Sequence, residues 1–162
     1  MPLSVNNNTV SVKDESLFEI EDLETNTGLL MLQVSNLWKD YHDKVLKKYH
    51  GLSHIQYAVL AGIYSLNNKK QVTQTLIVQH TRIDPMTISQ IFKQLESKDY
   101  ISQTNHPADD REKVVHLTQK GKDLVSQVLG AIVETDGKFF KSLGENAGHF
   151  NNYLKTLLEM ND

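Results

Sequence analysis

The chain has 162 residues, enough to bury a core within one domain, and it has no cysteine, which excludes disulfides, thiolate zinc sites, iron–sulfur clusters and thiol chemistry. A net charge of −3 and a pI of about 6.1 argue against a simple polybasic nucleic-acid binder. The charge is uneven, however: residues 1–30 hold one basic residue against six acidic ones, a balance of −5, whereas residues 72–122 hold seven against six, a balance of +1.

Residues 1–22 read as an acidic, loosely held arm running into a helix start, with Asn6-Asn7-Asn8 and few aromatics in its first part. The start lacks a leader pattern, and no run approaches the roughly 18 apolar residues of a spanning helix. The expectation is a soluble, cytoplasmic chain with no membrane partner. Over 23–51, Leu30, Val34, Leu37, Trp38, Tyr41 and Val45 recur every three or four residues, which predicts one long helix stopping near Gly51. Ser53-His54-Ile55-Gln56 has the form of a capping box, and Val59, Leu60, Ile63 and Leu66 give the next helix its buried face. A short helix is predicted over 74–80.

The clearest local signal follows. Asp84 suits an N-cap and Pro85 the first helical position; Ile88, Ile91, Phe92 and Leu95 then form one apolar face. This predicts an amphipathic helix from Asp84 to about Lys98. Residues 100–104 and 113–117 read as two strands around the polar turn 105–112. Thr118 suits the cap of a further long helix carrying Leu124, Val125, Val128, Leu129, Ile132 and Val133, and a last helix carries Phe150, Tyr153, Leu154, Leu157 and Leu158.

Two short helices, the second strongly amphipathic, and then a hairpin with a charged tip give the order of a winged helix-turn-helix. The predicted class is therefore mainly α (α+β), with a 52–122 DNA-binding module between a 23–51 dimerisation helix and 123–162 C-terminal dimerisation helices. In such a module the Asp84 helix enters the major groove. Its outward residues are Pro85, Met86, Thr87, Ser89, Gln90 and Lys93. Gln90 suits adenine, Thr87 and Ser89 suit bases or phosphates, Met86 a thymine methyl, and Lys93 guanine or phosphate. Singly, each is an ordinary solvated side chain; the ensemble carries the argument. Arg111, at the hairpin tip with Asp109 two residues away and Lys113 close by, suits the narrow minor groove.

The segments 52–60 and 84–96, the tip Asp109-Asp110-Arg111 and the run Leu117-Thr118-Gln119-Lys120-Gly121 together resemble the multiple antibiotic resistance regulator (MarR) family, over about 23–158. The D-x-R tip and the L-T-x-x-G helix start are its most specific parts. The resemblance implies a transcriptional regulator, more often a repressor. It also implies a homodimer clamped by the first and last two helices, a pseudo-palindromic duplex DNA operator and release by a small aromatic or anionic ligand. Two positions depart from the pattern: Asp99 stands where the family commonly has glycine, and Gln103-Thr104 where it often has arginine.

Trp38, Tyr41, His42 and His54 are the candidates for lining a ligand pocket, although aromatics at helical spacing are more often core or interface. Seven histidines invite a metal site, but Gly51 and the Ser53 cap separate His50 from His54 and no H-E-x-x-H pattern is present. No metal and no cofactor are expected. Without a G-x-S-x-G, a P-loop or a dinucleotide fingerprint, no enzyme activity is expected either. The alternative reading is a winged-helix protein–protein docking module without specific DNA binding.

Overall fold

A computed structural model describes residues 26–67 and 70–161. The predicted arm at 1–22 lies outside the described residues. The described residues fall into two compact units that part between Trp38 and Lys39. Helix α1 (Thr27–Leu46) crosses the boundary between them.

In the first unit, Asn26 begins α1. Its side-chain carbonyl accepts from the Leu29 N–H at 2.9 Å and its backbone carbonyl from the Leu30 N–H, also at 2.9 Å. Leu30, Met31, Leu32, Val34 and Leu37 are exposed along this part of the helix.

The second unit holds the rest of α1, α2 (His54–Leu66), α3 (Gln74–Thr81), α4 (Pro85–Ser97), β1 (Ile101–Asn105), β2 (Lys113–Leu117), α5 (Gln119–Phe139), a 3-10 segment (Phe140–Asn146) and α6 (Ala147–Met160). Four of its helices open on a side-chain cap from the residue before: Ser53, Thr73, Asp84 and Thr118 each accept a backbone N–H three residues on. At Ser53 the full capping box forms, with Gln56 reaching back to the Ser53 N–H.

Helix α2 is the hub and packs against α3, α4, α5 and β2. Its Val59, Leu60 and Ile63 are fully buried with Ile77, Ile88, Leu95, Val115 and Val128 from those neighbours. Burying a side chain of this size stabilises the fold by about 1.5–3 kcal/mol. The strands pair antiparallel, with Ile101 opposite Leu117 and Asn105 opposite Lys113. A two-stranded ribbon is marginal alone. Here the segment before α3 adds a third edge: the Val115 N–H donates to the Val72 carbonyl at 2.8 Å, and Thr73 bridges to Val114.

The predicted start of the first helix at 23 lies outside the described residues, the first strand sits one residue later than 100–104, and two further boundaries differ. Helix α1 ends at Leu46, not near Gly51: the chain tightens through Lys48 and Tyr49, whose N–H groups reach back only three residues, and then turns left-handed at His50 (φ 54°) and Gly51 (φ 65°). Between α5 and α6 lies a 3-10 segment that the apolar spacing does not signal, interrupted at Gly144 (φ 51°). No helix among the described residues is long and apolar enough to cross a membrane.

Candidate nucleic-acid interface

Helix α4 is fixed at its start from two sides. The Asp84 carboxylate accepts from the Thr87 N–H at 2.9 Å and from the Thr87 hydroxyl at 2.6 Å, bonds that hold its carboxyl below the ordinary aspartate range. The Gln74 side-chain amide donates to the Pro85 carbonyl at 3.1 Å, which ties the first turn of α3 to that of α4. Ile88, Ile91, Phe92 and Leu95 face inward as their spacing predicts. Pro85, Met86, Gln90 and Lys93 are exposed, Met86 by 73%, whereas Thr87 and Ser89 are half-buried.

Pro85, Met86, Gln90 and Lys93 thus share the exposed side of α4, with Thr87 and Ser89 half-buried, and the Thr87 hydroxyl already donates its hydrogen bond to Asp84. Gln94 contributes in a way the pattern did not reveal. Its side-chain carbonyl accepts at 2.8 Å from the buried Gln56 amide, joining α4 to α2. At the other end of α4, Asp99 takes the left-handed conformation (φ 60°) in place of a glycine. The β1 substitution is absorbed too: Gln103 donates to the Glu96 carboxylate at 3.1 Å.

The hairpin tip is built around Asp109. Its carboxylate accepts from the Arg111 backbone N–H, Nε and Nη2, each at 3.0 Å, which places the guanidinium in a fork while leaving the arginine side chain 89% exposed. These bonds lower the Asp109 carboxyl and raise the Arg111 guanidinium. The turn closes through Glu112 N–H to the Asp109 carbonyl and His106 N–H to the Glu112 carbonyl, both 3.1 Å. Lys113 is exposed beside them. A hollow of about 440 Å³ separates α3 and the start of α4 from this tip, lined among others by Gln74, Pro85, Gln103, Arg111 and Lys113.

Gly121 explains the L-T-x-x-G run. A Cβ there would lie 2.0 Å from the Tyr100 carbonyl oxygen, so only glycine lets α5 start against the end of α4. That same carbonyl accepts the Thr118 N–H at 3.1 Å, and the Thr118 hydroxyl donates to the Asp99 carbonyl at 2.7 Å.

Of the four pocket candidates, His42 and His54 meet with ring centroids 5.2 Å apart where α1, α2 and α5 converge. His42 is buried and its Nε2 lies 2.7 Å from Asp136 Oδ1 on α5. Asp136 was missed because it is 94 positions away, with only its place as an acid in the α5 stripe to mark it. Burial, and then the neighbouring His42, push the His54 imidazole below its ordinary value. Tyr41 packs edge-on against Phe139 at 5.4 Å and stays 43% exposed. Trp38 belongs to the first unit. No group of three or more metal-ligating side chains occurs among the described residues.

An amphipathic helix on a helix-turn-helix frame, with an arginine-tipped hairpin beside it, defines a winged helix-turn-helix protein. The profile of the family described as Transcriptional regulator SarA/Rot matches residues 42–128, and the chain belongs to that family. The chain is 27% identical over 137 residues to the uncharacterized HTH-type transcriptional regulator YdcH of Bacillus subtilis, covering 84% of this chain and 90% of that one. It is 32% identical over 94 residues to the HTH-type transcriptional regulator MgrA of Staphylococcus aureus, covering 56% of this chain and 59% of that one. Its fold matches that of S. aureus MepR, solved as a DNA complex, with a TM-score of 0.74 at 22% identity, over 83% of this chain and 97% of that one. The protein is thus a transcriptional regulator of the SarA/Rot winged-helix family, and its fold is also that of Sco3205, a MarR family transcriptional regulator from Streptomyces coelicolor solved with DNA (TM-score 0.71 at 17% identity, over 80% of this chain and 82% of that one), in line with the resemblance carried by its motifs.

Proposed function

We propose that the protein is a homodimeric repressor that reads a pseudo-palindromic operator with the start of α4 in the major groove and Arg111 in the flanking minor groove, and that a small ligand releases it. The observation that carries this reading is the Asp109–Arg111 fork. A guanidinium already oriented and 89% exposed at the end of a closed turn meets DNA without first losing its side-chain freedom. Pro85, Met86, Thr87, Ser89, Gln90 and Lys93 supply the base and phosphate contacts, with Asp109 and Lys113 supporting the wing.

The dimer follows from apolar surface. Val133 on α5 and Tyr153, Leu157, Leu158 and Met160 on α6 are between 48% and 79% exposed in the single chain, and the apolar row on α1 is exposed as well. Surface of this kind is normally covered. The ligand would act at the convergence of α1, α2 and α5, where Tyr41, His42 and His54 lie; domain roles follow the same plan, 52–122 reading DNA and the flanking helices pairing. The test is titration of the purified protein with duplex from upstream of its own gene, against random duplex at two salt concentrations. Specific binding is expected, and Arg111→Ala should weaken it about tenfold while sedimentation still reports a dimer. Equal, weak binding to both duplexes would refute the regulator reading and favour the docking module.

A further inference from the structure

The bonds inside the hairpin tip fix its shape, and those at its root, Val115 to Val72 and Thr73 to Val114, fix where it leaves the core. Between them, Gln103 on β1 is bonded to Glu96, which lies in the last turns of α4 and away from its start. One tie reaches further out: the Thr75 hydroxyl, in the first turn of α3, donates to Glu112 Oε1 at 2.7 Å. From Thr75 the connection continues through the neighbouring Gln74, whose amide holds the Pro85 carbonyl. A short polar path therefore runs from the residue beside Arg111, across the first turn of α3, to the first residue of α4.

The chemistry of Glu112 points the same way. A carboxylate lining the hollow with Arg111 and Lys113 would repel phosphates if the surface were built for charge alone. At the first turn of α3 it is instead favoured by the helix dipole and by a hydroxyl donor. We propose that Glu112 is a positioning residue for DNA recognition, holding the wing through Thr75 at a fixed spacing from α4. This rests on the DNA-binding reading above, and it treats Glu112 as acting through Arg111, not as touching DNA.

The experiment is a double-mutant cycle on a short duplex selected from a random library by the wild-type protein. Glu112→Ala and Thr75→Val are each expected to weaken binding about five- to tenfold, while lowering the melting temperature by no more than a few degrees, about what one lost hydrogen bond costs the fold. Glu112→Gln, which keeps the acceptor, and Thr75→Ser, which keeps the donor, should stay close to wild type. In an Arg111→Ala background Glu112→Ala should add almost nothing. Tighter binding by Glu112→Ala, or full additivity with Arg111→Ala, would overturn the proposal and leave Glu112 as a plain repulsive charge. Hydrogen exchange on the free protein reads the tie without DNA: the His106 and Glu112 amides should exchange faster in Thr75→Val. Unchanged exchange would overturn the tie itself, whereas failure of the wild type to select any sequence would overturn only the DNA-binding reading.

Discussion

Replacing Gly121 by alanine tests the claim that the α4–β1 corner and the α5 start are packed to backbone contact. The new methyl carbon would lie 2.0 Å from the Tyr100 oxygen, 3.0 Å from its carbonyl carbon and 3.3 Å from Leu117 Cδ2. The oxygen belongs to the backbone and cannot rotate away, so α5 must retreat by more than an ångström, drawing the Thr118 N–H off the same carbonyl. Overpacking costs about 1–3 kcal/mol and the strained bond about 0.5–1.5 kcal/mol, against a helix-propensity gain near 1 kcal/mol. The net loss of about 0.5–3.5 kcal/mol lowers the melting temperature by roughly 1–14 °C for a chain of this size. Calorimetry at fixed protein concentration measures it. Gly130→Ala, in the same helix with nothing within 4 Å of the added carbon, provides the contrast and should be neutral or stabilised by up to about 1 kcal/mol. A Gly121→Ala protein melting at or above wild type would refute the packing argument.

Leu60→Ala, in the fully buried centre of α2, should cost about 2–5 kcal/mol in urea unfolding, and a loss under 1 kcal/mol would mean the core closes around the gap. Thr118→Val removes both the cap on the Gly121 N–H and the bond to the Asp99 carbonyl and should cost about 1–2 kcal/mol by the same assay; an unchanged midpoint would show that the cap is dispensable. His54 supplies a pH test. Because its folded value lies below 6.5, the unfolded chain takes up the proton first as pH falls, so its contribution to stability is whole above 6.5 and declines below it, down to the folded value. Between pH 7.5 and 5.5 the stability of His54→Gln should therefore fall less than that of wild type, and parallel curves would contradict the burial effect.

What the sequence made legible was local. Asp84, Pro85 and the Ile88–Leu95 spacing specify α4 within a dozen residues, and the Ser53 and Thr118 caps each act over three positions. The hairpin followed from β-formers around a polar turn, and the Asp109–Arg111 fork from a two-residue spacing. What stayed hidden was non-local polar pairing: His42 with Asp136, Gln56 with Gln94 and Thr75 with Glu112 join residues between 37 and 94 positions apart. No periodicity marks such pairs, since a buried glutamine and a solvated one look alike until the fold brings a partner. The early end of α1 was missed because its stop was read from Gly51, whereas the helix already tightens at Lys48 and Tyr49 before the backbone turns at His50 and Gly51.

Among the described residues, three non-glycine ones, His50, Arg82 and Asp99, sit in left-handed conformations, with φ between 54° and 60°, after α1, α3 and α4. L-residues hold this conformation at a cost of about 1–2 kcal/mol each, and glycine holds it freely. Each corner is thus a place where the molecule is less stable than its own backbone permits. None of the three belongs to the proposed reading residues, so stability and sequence recognition occupy separate positions. A lineage under thermal pressure could straighten its margin at these corners one codon at a time and leave its operator unchanged.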